Sequence, residues 1–194
     1  DRRRRGRAAA PLGLLLLLSL PPARGWLESS MSLHMPVQFP LLAACGYALA
    51  DAQPRRRWHE RLQAWNAHGI SGLAFLAVAM ALLMVPRVLD LALVDARIEA
   101  LKWLVLLACG AALRLSCRRA GLLVQGFFLG NVLPVTAAGG HLYQDGPLRL
   151  CNAYLLDDQV SLGQGLVALS AALAVGWMAK LFITLWRREP LDLA

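Results

Sequence analysis

The stretch at residues 159–185, QVSLGQGLVALSAALAVGWMAKLFITL, followed by Trp186, Arg187 and Arg188, decides the fold class. Its 27 mostly apolar residues exceed the roughly 20 that a helix needs to cross the hydrocarbon core of a bilayer. The Arg pair behind it is the flank expected on the cytoplasmic side, where Lys and Arg near span ends are retained. The rest of the chain repeats the pattern. Of 194 residues 58% are hydrophobic and 16% charged, with a mean hydropathy of +0.51, whereas soluble domains are about 45–50% apolar. A soluble globular domain, a disordered chain and a small disulfide scaffold all describe it poorly. An all-α, polytopic transmembrane helical bundle is expected.

Residues 120–138 read as a fifth span ahead of that last one, in which Gly130, Asn131 and Pro134 predict a locally broken helix packed against protein. Residues 100–115 make a fourth span closed by Cys117, Arg118 and Arg119, and residues 68–85 a third, with Pro86 and residues 87–99 as its exit. A second span covers residues 31–50 and is followed by a connection carrying Arg55, Arg56, Arg57 and Arg61. The first apolar run follows Arg2, Arg3, Arg4, Arg5 and Arg7 and stops at Pro21 and Pro22, with Ala23 and Gly25 placed like a weak signal-peptidase site. Retention as a first span over residues 8–29 gives six spans, and cleavage gives five. The chain then divides into an Arg-rich N-terminus with signal peptide or signal anchor (1–30), a transmembrane bundle (31–186) and a cytoplasmic tail (187–194).

The net charge of +8 and a pI near 10.2 do not point to nucleic acid, because the basic residues sit at the ends of the apolar runs rather than along one stripe. The segments assigned to the inside hold the Arg2–Arg7 and Arg55–Arg61 clusters with Arg114, Arg118, Arg119, Arg187 and Arg188. Those assigned to the outside hold Arg24, Arg87, Arg97, Lys102 and Arg149. Both termini are therefore expected in the cytoplasm, at a bacterial inner membrane. Trp26, Trp58, Trp65, Trp103 and Trp186 fall near span ends, as an aromatic belt requires. Four cysteines, Cys45, Cys109, Cys117 and Cys151, form no CxxC and imply neither a zinc knuckle nor a disulfide framework.

On this topology the outer ends of the spans collect His34, Met35, Met84, Glu99, His141, Cys151, Asp157 and Asp158, while His59 and His68 lie at the inner ends. Imidazole and thioether groups together suit Cu(I), which makes His34, Met35, Met84 and His141 candidate metal ligands. The same residues also suit plainer roles, Met as packing and His as an interfacial polar group. His34 and Met35, followed by Pro36, would stand at the outer edge of the second span. Asp157, Asp158 and Gln159 open the last span, where carboxylates favour the positive end of the helix dipole, and Glu99 opens the fourth in the same way. There is no GxSxG, HExxH or phosphate-cradling glycine loop, so no enzyme is indicated. No acidic or basic relay stands inside the spans, which counts against a proton-coupled carrier.

The order of these features resembles the multi-pass CtaG-type family of cytochrome c oxidase assembly factors. That family is similar in having an HMxxH motif opening a span, WHxP closing the next, an acidic-His pair opening the one after, a Tyr in an outer loop, and DQQ with a following glycine opening the last. The corresponding residues here are His34-Met35-Pro36-Val37-Gln38, Leu83-Met84-Val85-Pro86, Glu99-Ala100, Leu142-Tyr143, and Asp157-Asp158-Gln159 with Gly163, over residues 31–186. Gln38, Met84 and Ala100 stand where the family has His, so the chain reads as a divergent member. The resemblance implies an accessory protein for a copper-containing respiratory oxidase, assisting its assembly or handling Cu(I) at the periplasmic face. Its partners would be membrane lipid and subunits of that oxidase or of another copper-dependent complex. The replaced imidazoles also leave open a stable structural subunit of a larger membrane enzyme that has lost metal binding, with a small-solute transporter as a third reading.

Overall fold

A computed structural model describes residues 2–52, 64–145 and 154–187, with side chains from residue 8 onward. The described residues are helical with short connections and contain no strand. Four helices, Met31–Ala52, Ala96–Cys117, Leu122–Asp145 and Leu156–Trp186, are long and apolar enough to cross a membrane, and two bent pairs raise the number of candidate spans to six. Arg55, Arg56, Arg57, Trp58, His59, Arg61, Arg149, Cys151 and Arg188 lie outside the described residues.

Helix α1 (Arg2–Ser19) gives way to α2 (Pro21–Leu27) through a 78° bend. The break is local chemistry: Leu20, preceding a proline, is driven out of the helical region to φ −65°, ψ 135°. Ser30 caps the short α3 (Met31–Leu33) by accepting from the Ser32 N–H at 3.2 Å. One π turn, His34–Gln38, then leads into α4 (Phe39–Ala52). Pro36 and Pro40 cannot donate to a helical ladder and crowd the carbonyl four residues back. The wider turn relieves this and buries His34, Met35 and Gln38 together, and π turns of this kind recur at functional sites.

Helix α5 (Ile70–Leu83) starts at Gly69, whose φ of 76° is open to glycine at little cost. It bends by 75° at Pro86 into α6 (Pro86–Val94). Asp95 ends α6 and caps α7 (Ala96–Cys117), accepting from the Arg97 N–H at 2.8 Å. Helices α8 (Leu122–Asp145) and α9 (Leu156–Trp186) complete the described chain. Packing is closest between α4 and α7 and between α8 and α9. At the first crossing a methyl group on Gly46 would run into the Leu107 carbonyl, and one on Gly110 into the Ala43 carbonyl. At the second, a methyl on Gly140 would approach the Gly163 oxygen at 2.7 Å.

Several sequence expectations need correction. Helix α8 is unbroken despite Pro134; the residue four back is Gly130, and Asn131 turns its amide onto the Phe127 carbonyl at 2.7 Å rather than opening the helix. The connection expected from Gly139 is helical as far as Asp145, because Gly140 lets α8 stay against α9. The helix expected from residue 100 begins at Ala96, so Glu99 lies inside it rather than in an exit segment. A methyl group on Gly72, Gly110 or Gly126 would meet neighbouring atoms, while Gly130 and Gly176 face open space. Trp26, Trp65 and Trp186 are exposed near helix ends.

Polar contacts sort to two ends of the bundle. At one end Asp51 pairs with Arg114 (Nε–Oδ1 2.8 Å) and Asn66 donates to Ser116 at 2.9 Å. At the other end lie Glu99 and Lys102, the buried charges among the described residues.

Candidate functional site

Lys102 lies in the second turn of α7 and is 2% exposed. A lone ammonium in such a place would cost far more than a helix can recover, and its surroundings explain how it is held. Nζ contacts His34 Nε2 at 2.9 Å, Gln38 Oε1 at 3.2 Å and Glu28 Oε1 at 3.4 Å. An ammonium donates and never accepts, so His34 Nε2 is the acceptor and its proton sits on Nδ1, which donates to the Tyr154 oxygen at 2.6 Å. Phe39 and Tyr154 set their rings edge-on to the imidazole.

The network continues outward. Arg24 donates through Nε to Glu28 Oε2 at 3.1 Å and pairs through Nη2 with Glu99 Oε2. Gln38 Nε2 lies 3.5 Å from Glu28 Oε1. Two cations, Arg24 and Lys102, thus face two carboxylates, Glu28 and Glu99, and the group is neutral as a whole. The members come from four parts of the chain: the end of α2, the π turn, the first turns of α7 and the segment before α9. His34 and Gln38, at the two ends of the π turn, reach the same ammonium.

The residues singled out from sequence divide as follows. His34 is fully buried, with Lys102 at one ring nitrogen and Tyr154 at the other. Met35 is buried in an apolar cluster with Met31, Phe39, Tyr143 and Tyr154, and Met84 packs against that same cluster. His141 is exposed on α8. Glu99 is buried against Arg24 instead of serving only the helix dipole. Asp157 is exposed in the first turn of α9, Asp158 accepts from Ser30 Oγ at 3.2 Å, and Gln159 is buried and donates to the Tyr143 carbonyl at 3.1 Å. Tyr143 in turn donates to the Met84 carbonyl at 3.1 Å. The structure therefore brings His34, Met35, Met84, Glu99, Asp158 and Gln159 to one end.

A copper ion does not fit these donors. Both ring nitrogens of His34 are engaged, and the one facing inward meets a fixed positive charge at 2.9 Å, which repels a second cation. Among the described residues no group of three or more His, Cys, Asp and Glu side chains is placed to hold one metal ion. Comparison with known protein families, with characterised proteins and with solved structures gives no match for this chain.

Sequence reasoning missed Lys102 and Arg24 by counting them among outside topology charges, and it passed over Glu28 and Tyr154. The expectation that no charged relay lies within the spans is likewise corrected by Glu99 and Lys102. A signal was available. Lys102 is one of two lysines among 20 basic residues, it stands one turn from Glu99, and Arg24 stands one turn from Glu28. Opposite charges three and four apart on apolar helices are expected to be paired and functional.

Proposed function

We propose that this chain is an integral membrane accessory protein of a copper-containing respiratory oxidase, a divergent relative of the CtaG-type assembly factors, acting by contact rather than by holding an ion. It crosses the bacterial inner membrane six times, with both termini cytoplasmic and the charged network toward the periplasm. It has no catalytic step of its own; it steadies the oxidase subunit before that subunit receives copper. The observation that carries this reading is the saturation of His34. The imidazole that the family resemblance would assign to copper is hydrogen-bonded at both nitrogens inside a neutral charge group, which supports action by contact over action by ion binding. Sequence order over residues 31–186 supports the kinship, and the collection of Met84, Glu99, Tyr143, Asp158 and Gln159 at the His34 end suits a fold inherited with it.

Native pull-down of the tagged chain from membranes in mild detergent tests the proposal. Recovery of copper-oxidase subunits in sub-stoichiometric amount is the expected result. A fixed stoichiometry with a mature complex would instead make the chain a permanent subunit, and absence of oxidase subunits would remove the proposal. The purified chain and its His34→Ala, Met84→Ala double variant should carry the same negligible copper; copper lost on making that double variant would restore an ion-handling role.

A further inference from the structure

The surroundings of Lys102 have the layout of a metal centre with an amino group in the ion's place. Three acceptors converge on Nζ, namely an imidazole nitrogen, a carboxylate oxygen and an amide carbonyl oxygen, at 2.9, 3.4 and 3.2 Å. An ammonium has three protons to give, and these acceptors match that number. The groups behind them are arranged as outer partners of metal ligands are. A metal-binding His donates its other N–H to a fixed acceptor, and a metal-binding carboxylate is itself hydrogen-bonded. Here His34 Nδ1 is held by Tyr154 at 2.6 Å, and the second oxygen of Glu28 by Arg24 at 3.1 Å. The tautomer and direction of the imidazole are thereby set so that the Nε2 lone pair faces the cation.

We propose that Glu28 Oε1, His34 Nε2 and Gln38 Oε1 form a cation cradle whose resident ion is the chain's own Lys102 ammonium, and that Zn²⁺ occupies the same place once that side chain is shortened. The wild-type site is thus independent of metal supply: its cation is covalently part of α7 and cannot be removed by a chelator. With Lys102 cut back to alanine the cradle keeps an imidazole and a carboxylate, the ligand types zinc prefers, at separations that must shorten to about 2.0–2.2 Å. Glu28 and Gln38 have long flexible side chains able to make that adjustment, and water completes the tetrahedron.

The test uses the full chain in detergent with Zn²⁺ as probe, measured by equilibrium dialysis and metal analysis. Wild type should bind no zinc at this site, and its unfolding should be indifferent to chelator. Lys102→Ala should bind one zinc per chain. Adding His34→Ala should abolish that binding, and adding Tyr154→Phe should weaken it by about 10- to 100-fold, the effect of losing an outer-shell partner. The Tyr154 effect separates a built cradle from a merely vacated space. A folded Lys102→Ala chain that takes up no zinc, or whose zinc is indifferent to His34→Ala, overturns the proposal, as does wild-type zinc lost on His34→Ala. If Lys102→Ala does not fold, zinc added during refolding should restore the monodisperse helical state; failure at saturating zinc overturns it equally.

Discussion

Lys102→Met should lower the stability of the folded chain by about 3–5 kcal/mol in the absence of added metal, the cost of breaking a buried ion pair from one side. The methionine keeps much of the stem's volume, so the loss comes from charge and not from a cavity. Removing the ammonium leaves His34 Nε2, Gln38 Oε1 and Glu28 Oε1 without their shared donor and leaves two carboxylates facing the single cation Arg24. Glu28→Gln made in the same chain restores electrical balance. The double variant should therefore be more stable than Lys102→Met alone, with a coupling of about 0.5–3 kcal/mol, as found for residues sharing one network. Denaturation followed by helical signal in a fixed detergent reads both quantities. A loss below about 1 kcal/mol, the value of a solvent-exposed pair, would mean that water reaches Lys102.

The second large effect is expected at the crossing of α4 and α7. Gly46→Ala and Gly110→Ala each place a methyl group onto backbone, at the carbonyls of Leu107 and Ala43. Backbone cannot step aside as the tip of a side chain can, so the helices must separate along their length. Each substitution should cost about 3 kcal/mol, the upper part of the range for overpacking. The separation also pulls α7 away from the π turn, so the damage should extend to the Lys102 network. Gly130→Ala and Gly176→Ala are the controls, since no atom lies within 4 Å of the added methyl at either position. Alanine is favoured over glycine inside a helix by about 0.5–1 kcal/mol, and those two variants should be neutral or slightly more stable. Equal behaviour of all four would show that α4 and α7 are not in close contact.

Much of the helical layout was legible because long apolar runs have few alternatives. The last span was expected over residues 159–185 and is α9, Leu156–Trp186; the second was expected over residues 31–50 and is continuous from Met31 to Ala52. The stop at Pro21 and Pro22 was equally readable, since proline acts on its immediate neighbours. What sequence could not supply was long-range pairing. Tyr154 reaches His34 across 120 residues and Lys102 reaches Glu28 across 74, and no local pattern encodes either. Span-end charges were read by the rule for loops, which treats every Arg or Lys as solvated. That rule fails for Arg24 and Lys102 because each has a carboxylate partner. The π turn escaped notice as well, although two prolines four apart at residues 36 and 40 are a reason for the helix to widen there. His34 was singled out in sequence with Met35, Met84 and His141 as companions at the outer span ends, whereas the side chain that meets its Nε2 is Lys102, 68 residues away.

The unequal lengths of the helices bear on the lipid around them. At 1.5 Å per residue, the 31 residues of α9 reach about 46 Å, enough to pass through both headgroup layers as well as the oily centre. The 14 residues of α5 reach about 21 Å before the chain turns aside at Pro86, short of a hydrocarbon layer about 30 Å thick. In a bilayer the flank near α5 would pinch the membrane while α9 tilts or holds it at full width. Such a molecule would settle where thickness already varies, beside a larger neighbour whose own boundary deforms the sheet.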